Sequence, residues 1–126
     1  MFPMTEPLGP AEVVEAINGA RRVGDFDAAL AYIAVESLDQ GERVTREDWR
    51  RKWEAMRSGV EGLEITTEGS VVSGDWVANR YTVRGAHTGD FFGQAPTGRD
   101  FAITGMDMVR VRDGQLVEHW MVAEGL

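Results

Sequence analysis

Residues Val109–Ala123 read VRVRDGQLVEHWMVA, two alternating segments joined at Arg112-Asp113-Gly114. Valines at 109, 111 and 117 recur with the period of two that sends successive side chains to opposite faces of a strand. The stretch predicts an antiparallel hairpin with a three-residue loop, a type I turn followed by Gly114 as a left-handed bulge. That register sets Val111 opposite Gln115, Val109 opposite Val117, Asp107 opposite His119 and Gly105 opposite Met121. A two-residue loop would instead set Arg110 against Val117 and Val109 against Glu118, mixing the faces of a half-buried sheet. One face then carries Phe101, Ile103, Gly105, Asp107, Val109, Val117, His119, Met121 and Ala123. An imidazole and a carboxylate meet on an otherwise apolar surface.

The same period extends back through Phe101–Arg112, Trp76–Arg84, Val71-Val72 and Leu63–Thr66, with a turn at Ser73-Gly74-Asp75. Before Gly62 the spacing is helical. Pro10 suits a first turn, and Val13, Val14, Ile17 and Ala20 repeat along a helix from about 11 to 23. Asp25 is placed to cap a second helix with Phe26, Ala29, Leu30 and Ile33 as its buried stripe. Thr45 and Asp48 have capping-box spacing before a third helix that carries Trp49, Trp53 and Met56 on one face. Helices followed by a meander of long strands predict one α+β domain over residues 1–126, with a flexible arm over 1–10 and a curved antiparallel sheet enclosing a conical pocket.

A chain of 126 residues, 43% apolar and 27% charged with four Trp, can bury about two-thirds of its unfolded surface in a single core. A formal charge of −8 repels phosphate backbones, so nucleic acid is not an expected partner. The absence of Cys excludes disulfides and thiolate chemistry and suits a reducing cytoplasm. No apolar run approaches the roughly 18 residues of a membrane span, and the first residues lack the features of a signal peptide. A cytoplasmic protein with no membrane partner is expected.

Asp107 and His119, directly opposite on adjacent strands, would have β-carbons about 4.5 to 5.5 Å apart, within reach of a hydrogen bond. A carboxylate on one ring nitrogen fixes the tautomer and raises basicity, as a general base or acid requires. The same pair also satisfies the simpler need of buried polar groups for partners. Tyr81 and Asn79 alternate with Val77 and Val83 and can present a phenol and an amide to the same interior. His87 opens a Gly-rich connection in which Phe91 and Phe92 either cover a pocket or anchor the loop. Helical spacing alone explains Trp53 as core, and Tyr32 and Asp39 are candidates for the pocket near the exit of the second helix. No Ser-His-Asp spacing, nucleotide motif or metal-ligand cluster stands out.

Arg80-Tyr81-Thr82-Val83-Arg84-Gly85-Ala86-His87-Thr88-Gly89-Asp90-Phe91-Phe92-Gly93, Pro96-Thr97-Gly98-Arg99, Thr104-Gly105-Met106-Asp107 and Asp113-Gly114-Gln115-Leu116-Val117-Glu118-His119-Trp120 together resemble the SnoaL-like polyketide cyclase family. This belongs to the nuclear-transport-factor-2-like superfamily, which includes limonene epoxide hydrolase. The resemblance implies a cone-shaped barrel of curved sheet around three helices, an apolar cavity, a homodimer, and acid/base chemistry without metal or organic cofactor on an apolar small molecule. Relatives keep an acid/base aspartate where this chain has Met121, and methionine transfers no proton. The expected site has His119, held by Asp107, as the proton-transfer group, Tyr81 or Asn79 polarising a carbonyl or hydroxyl, and Met121, Asn79, His87, Phe91, Phe92, Trp53 and Tyr32 as substrate contacts. A cyclase or isomerase of polyketide-like compounds is the leading expectation. Epoxide-hydrolase-like chemistry and ligand binding without catalysis are the alternatives.

Overall fold

The computed structural model describes residues 7–126, so the first six residues of the expected arm lie outside the described residues. Pro10, with its φ already suited to a helix start, opens α1 over Pro10–Arg22, which buries Val13 and Ile17. Asp25 accepts the Ala28 N–H at 3.1 Å and opens α2, Phe26–Leu30. This helix has only five residues, shorter than its apolar stripe suggested. Ile33 does not extend it but begins strand β1, Ile33–Asp39, which pairs with β2, Glu42–Thr45. Neither strand was expected from periodicity. Ala34, Glu36 and Leu38 have ordinary helical propensity, and pairing with a distant strand overrides it.

Thr45 and Asp48 form a reciprocal capping box: the Thr45 N–H donates to the Asp48 carboxylate at 2.8 Å, and the Asp48 N–H donates to the Thr45 hydroxyl at 3.3 Å. They open α3, Arg46–Gly59, whose Trp49 and Trp53 are buried. Four long strands follow: β3, Val60–Ser73; β4, Trp76–His87; β5, Asp100–Arg112; β6, Gln115–Ala123. Two expected fragments, 63–66 and 71–72, are parts of the single strand β3. Irregularities between Glu61 and Glu64 and between Thr67 and Gly69 interrupt its ladder with β4, and such bulges bend a sheet.

The six strands lie in the order β2-β1-β6-β5-β4-β3. All neighbours are antiparallel except β1 and β6, which run parallel. The sheet curves over the three helices without closing, so the expected barrel is open between β2 and β3. Val13, Ile17, Ile33, Trp53, Val77 and Val109 belong to one buried cluster between the layers, so the apolar stripe assigned to α2 joins the core even though Ile33 is in a strand.

The terminal hairpin departs from the expected register. Asp113 and Gly114, with φ of 51° and 74°, form a two-residue turn of the type favoured by Asp-Gly, pairing Arg112 with Gln115. The mixed faces expected of such a loop are avoided by an irregularity one step later: Val111 faces Leu116 but Arg110 faces Glu118, leaving Val117 as the extra residue. Leu116 and His119 are therefore both buried. Val109 lies opposite His119, Asp107 opposite Met121 and Gly105 opposite Ala123, two positions from the expected partners. The shift of two keeps Asp107, His119 and Met121 on the same face.

Gly105 also pairs with Tyr81 across β4 and β5, where a β-carbon would overlap the Tyr81 ring. Gly105→Ala should therefore cost about 1–3 kcal/mol in urea denaturation, as overpacking of a well-filled site does. Most of that cost should vanish in a Tyr81→Ala background; equal cost in both backgrounds would refute the contact as its cause.

Candidate active site

A cavity of about 370 Å³ lies between the concave face of the sheet and helices α1 and α3. Strands β4 to β6 supply Asn79, Tyr81, Asp107, His119 and Met121 to its wall, and α3 supplies Lys52 and Trp53. Phe91 and Phe92 enter from the connection between β4 and β5, their rings 4.7 Å apart in an edge-to-face arrangement. That connection is tied to α3 by the Gly89 N–H, which donates to the Gly59 carbonyl at 3.1 Å.

A hydrogen-bonded chain crosses the wall. His119 Nδ1 lies 2.9 Å from Asp39 Oδ1, and His119 Nε2 lies 3.3 Å from Asp107 Oδ2. The Lys52 ammonium donates to the other Asp39 oxygen at 3.0 Å. The Asn79 amide donates to Asp107 Oδ1 at 2.7 Å, and the Ser70 hydroxyl donates to the Asn79 carbonyl oxygen at 2.7 Å. His119 is 8% exposed, with the Trp49 ring edge-on to its imidazole at 5.3 Å. Asp39 reaches His119 because parallel pairing of β1 with β6 puts the two residues side by side. Asp107 reaches it diagonally, from opposite Met121.

Burial alone would pull the His119 pKa down. The hydrogen bonds from Asp107 and then Asp39 overcome that and leave it above the ordinary value of 6.5. Asp39 is moved the other way: burial pushes it up, but His119 and Lys52 bring it below the usual carboxylate value. The arrangement favours an imidazolium between two carboxylates. Tyr81 is raised by burial and by the charge of Asp107, with Arg21 opposing, so its phenol stays protonated as a hydrogen-bond donor.

Asn79, Tyr81, Asp107, His119, Met121, Trp53, Phe91 and Phe92, all singled out from the sequence, come together around this cavity. Two others do not. His87 is 2% exposed, packed edge-on to Phe91 at 6.3 Å, and is not among the lining residues. Tyr32 packs against the core, and its carbonyl accepts the Leu116 N–H at 2.8 Å. Glu124, assigned by alternation to the opposite face, lines the cavity because β6 ends at Ala123 and alternation ends with it. Lys52, Arg21 and Gln40 were not foreseen, and Asp39 was placed near the exit of a helix rather than on a strand. Gln40 brackets the Met121 backbone, accepting its N–H at 2.6 Å and donating to its carbonyl at 3.0 Å. Lys52 had one usable signal, its place one residue before Trp53 on a helix whose Trp face was legible.

Comparisons with known proteins agree with this fold. The family model of the SnoaL-like polyketide cyclases matches residues 11–126. IdmH from Streptomyces antibioticus is similar in structure, with TM-score 0.79 and 31% identity over 91% of each chain. TsrD from Streptomyces laurentii has TM-score 0.81 and 26% identity, covering 90% of this chain and 87% of its own. A SnoaL-like polyketide cyclase from Agrobacterium tumefaciens shares the fold at TM-score 0.85 with 13% identity, over 93% of this chain and 92% of its own. No curated protein matches the chain in sequence. With the family model spanning nearly all of the described fold and the polar chain set in the wall of an apolar cavity, this chain belongs to the SnoaL-like polyketide cyclase family.

Proposed function

We propose that the protein is a cofactor-independent cyclase or isomerase of an apolar, oxygenated, polyketide-like molecule, with Asp107 as the group that exchanges a proton with the substrate. The observation that carries this is the clamp on His119. Both imidazole nitrogens are committed to carboxylates, whereas each Asp107 oxygen accepts one hydrogen bond and keeps a lone pair for a substrate proton. His119 then acts through Asp107, holding its carboxylate in place by a hydrogen bond, instead of meeting the substrate as a free imidazole.

In a ring closure of the aldol type, Asp107 takes a proton from the carbon beside a carbonyl. The Tyr81 phenol donates a hydrogen bond to the enolate oxygen as charge develops there. The enolate carbon bonds to a second carbonyl of the same molecule, and the resulting alkoxide recovers the proton from Asp107. The sum is an isomerisation in which atoms and protons balance. A cavity that holds the two carbon centres close contributes through proximity, worth about 7 kcal/mol or more in favourable intramolecular cases. Met121, opposite Asp107 on β6, contributes shape and apolar contact where relatives carry an acid. The cysteine-free composition suits work in the cytoplasm.

As a homodimer, two copies would meet on the outer face of the sheet, where Met106, Met108, Trp120 and Val122 are exposed. Met106 pairs with Val122 and Met108 with Trp120, so the four form one apolar patch.

Deuterium exchange beside the carbonyl of 1-tetralone, followed by NMR in D₂O, tests the acid/base assignment. Asp107→Asn should slow enzyme-dependent exchange by about 100-fold or more, and Tyr81→Phe should slow it as well; a folded Asp107→Asn variant with unaltered exchange would remove Asp107 from the chemistry. If the imidazolium supports Asp107, activity should decline as pH rises through the elevated His119 pKa. Asp39→Asn, which removes one of the raising partners, should move that decline to lower pH. The linkage has the same sign for folding: the stabilisation from protonated His119 is complete below the ordinary value of 6.5 and lost as pH rises through the folded-state value. Melting temperatures across that range should fall more for the wild type than for His119→Gln, and parallel profiles would contradict the clamp. For the dimer, Met108→Glu with Trp120→Glu should halve the mass seen in sedimentation equilibrium, and an unchanged mass would place the interface elsewhere.

A further inference from the structure

A second cavity of about 360 Å³ adjoins the first, and the two share Asn18, Arg21, Trp53 and Ile65 as lining residues. Arg22 and Arg57 also line the second cavity, so three guanidinium groups gather there in a chain whose net charge is −8. Glu61 and Glu64 line it too, both exposed to solvent.

Arg21 stands between the cavities in an unusual setting for a cation. Its guanidinium lies over the Trp53 ring at 4.9 Å and donates to Met56 Sδ at 3.6 Å. Among the described residues it forms no ion pair, and neither do Arg22 and Arg57 beside it. Burial lowers its pKa to about 10, with Tyr81 and Asp107 opposing. A half-buried guanidinium held by an aromatic face and a thioether, with its planar donors otherwise uncommitted, is well suited to a carboxylate.

We propose that Arg21 anchors a carboxylate of the ligand, so that the substrate is an elongated apolar molecule with an acidic end, its reacting ketone beside Asp107 and its carboxylate at the junction of the two cavities. This rests on the reading of the first cavity as a substrate site and adds the charge of the substrate to it. Arg22 and Arg57, on the far side of the junction, attract the acid and keep an acidic protein from repelling it. The same anchor fixes which end of the molecule reaches Tyr81.

The test uses 2-naphthaleneacetate and its neutral counterpart 2-naphthaleneacetamide, titrated calorimetrically into the full chain. The wild type should bind the acid about 10-fold or more tightly than the amide, the size of effect a charge-assisted hydrogen bond gives. Arg21→Gln should bring the acid to the affinity of the amide, and Arg21→Lys should restore part of the preference. The melting temperature of Arg21→Gln should not fall, because the substitution removes a half-buried charge that has no carboxylate partner among the described residues. Equal binding of acid and amide by the wild type would overturn the anchor while leaving the acid/base assignment to the tetralone exchange. A preference that survives Arg21→Gln, together with a lowered melting temperature, would assign Arg21 to structure and overturn it as well. Binding of neither compound by folded protein would overturn both the anchor and the substrate cavity on which it rests.

Discussion

The structure depends on the cost of placing an imidazole where water is nearly excluded. His119 sits on the concave face of the sheet at 8% exposure, and an isolated charge there would be expelled or neutralised. The fold meets that cost by bringing one carboxylate to each ring nitrogen, Asp39 from β1 and Asp107 from β5. Each carboxylate is in turn held at its second oxygen, by Lys52 and by Asn79. Every member lies on a different element, so the clamp exists only when β1, α3 and strands β4 to β6 are assembled.

The strand order follows the same constraint. β1 leaves the end of α2 and runs parallel to β6, an uncommon pairing in a mostly antiparallel sheet, and it is this pairing that sets Asp39 beside His119. Gln40, just beyond β1, then ties its side chain to the Met121 backbone. The last strand is thus fixed on both sides at the positions that face the cavity. With Met121 on the last strand, the wall is still polar at Asp107, one strand away.

Much of the organisation was legible along the chain. The capping box at Thr45 and Asp48, the Trp49–Trp53 face and the long strands from β4 to β6 all show in patterns among near neighbours, which are what periodicity reports, whereas β3 showed only as two fragments. The hairpin shows where that local information ends. Asp-Gly signals a turn, but its two-residue and three-residue forms differ by a register step, and the bulge at Val117 that reconciles the two-residue form with burial is decided by packing against the helices. The shift of two residues kept Asp107, His119 and Met121 on one face because strand side chains have period two, while Leu116 took the buried place expected for Val117. The candidates Asp107, His119, Asn79, Tyr81 and Met121 therefore reached one cavity under a register that was not the one expected.

The sequence by itself determined an acidic, cysteine-free α+β chain with an imidazole and a carboxylate on an apolar strand face, together with the family to which such a combination belongs. Only the tertiary structure decided that His119 has two carboxylate partners and no free nitrogen, that His87 and Tyr32 stand away from the cavity, and that Arg21 occupies the junction of two cavities without a carboxylate partner among the described residues. The physical reason is range: alternation, capping and turn chemistry act over a few residues, whereas Asp39 and His119 are separated by eighty positions. Their contact arises when the core forms and a parallel strand pair brings their backbones together.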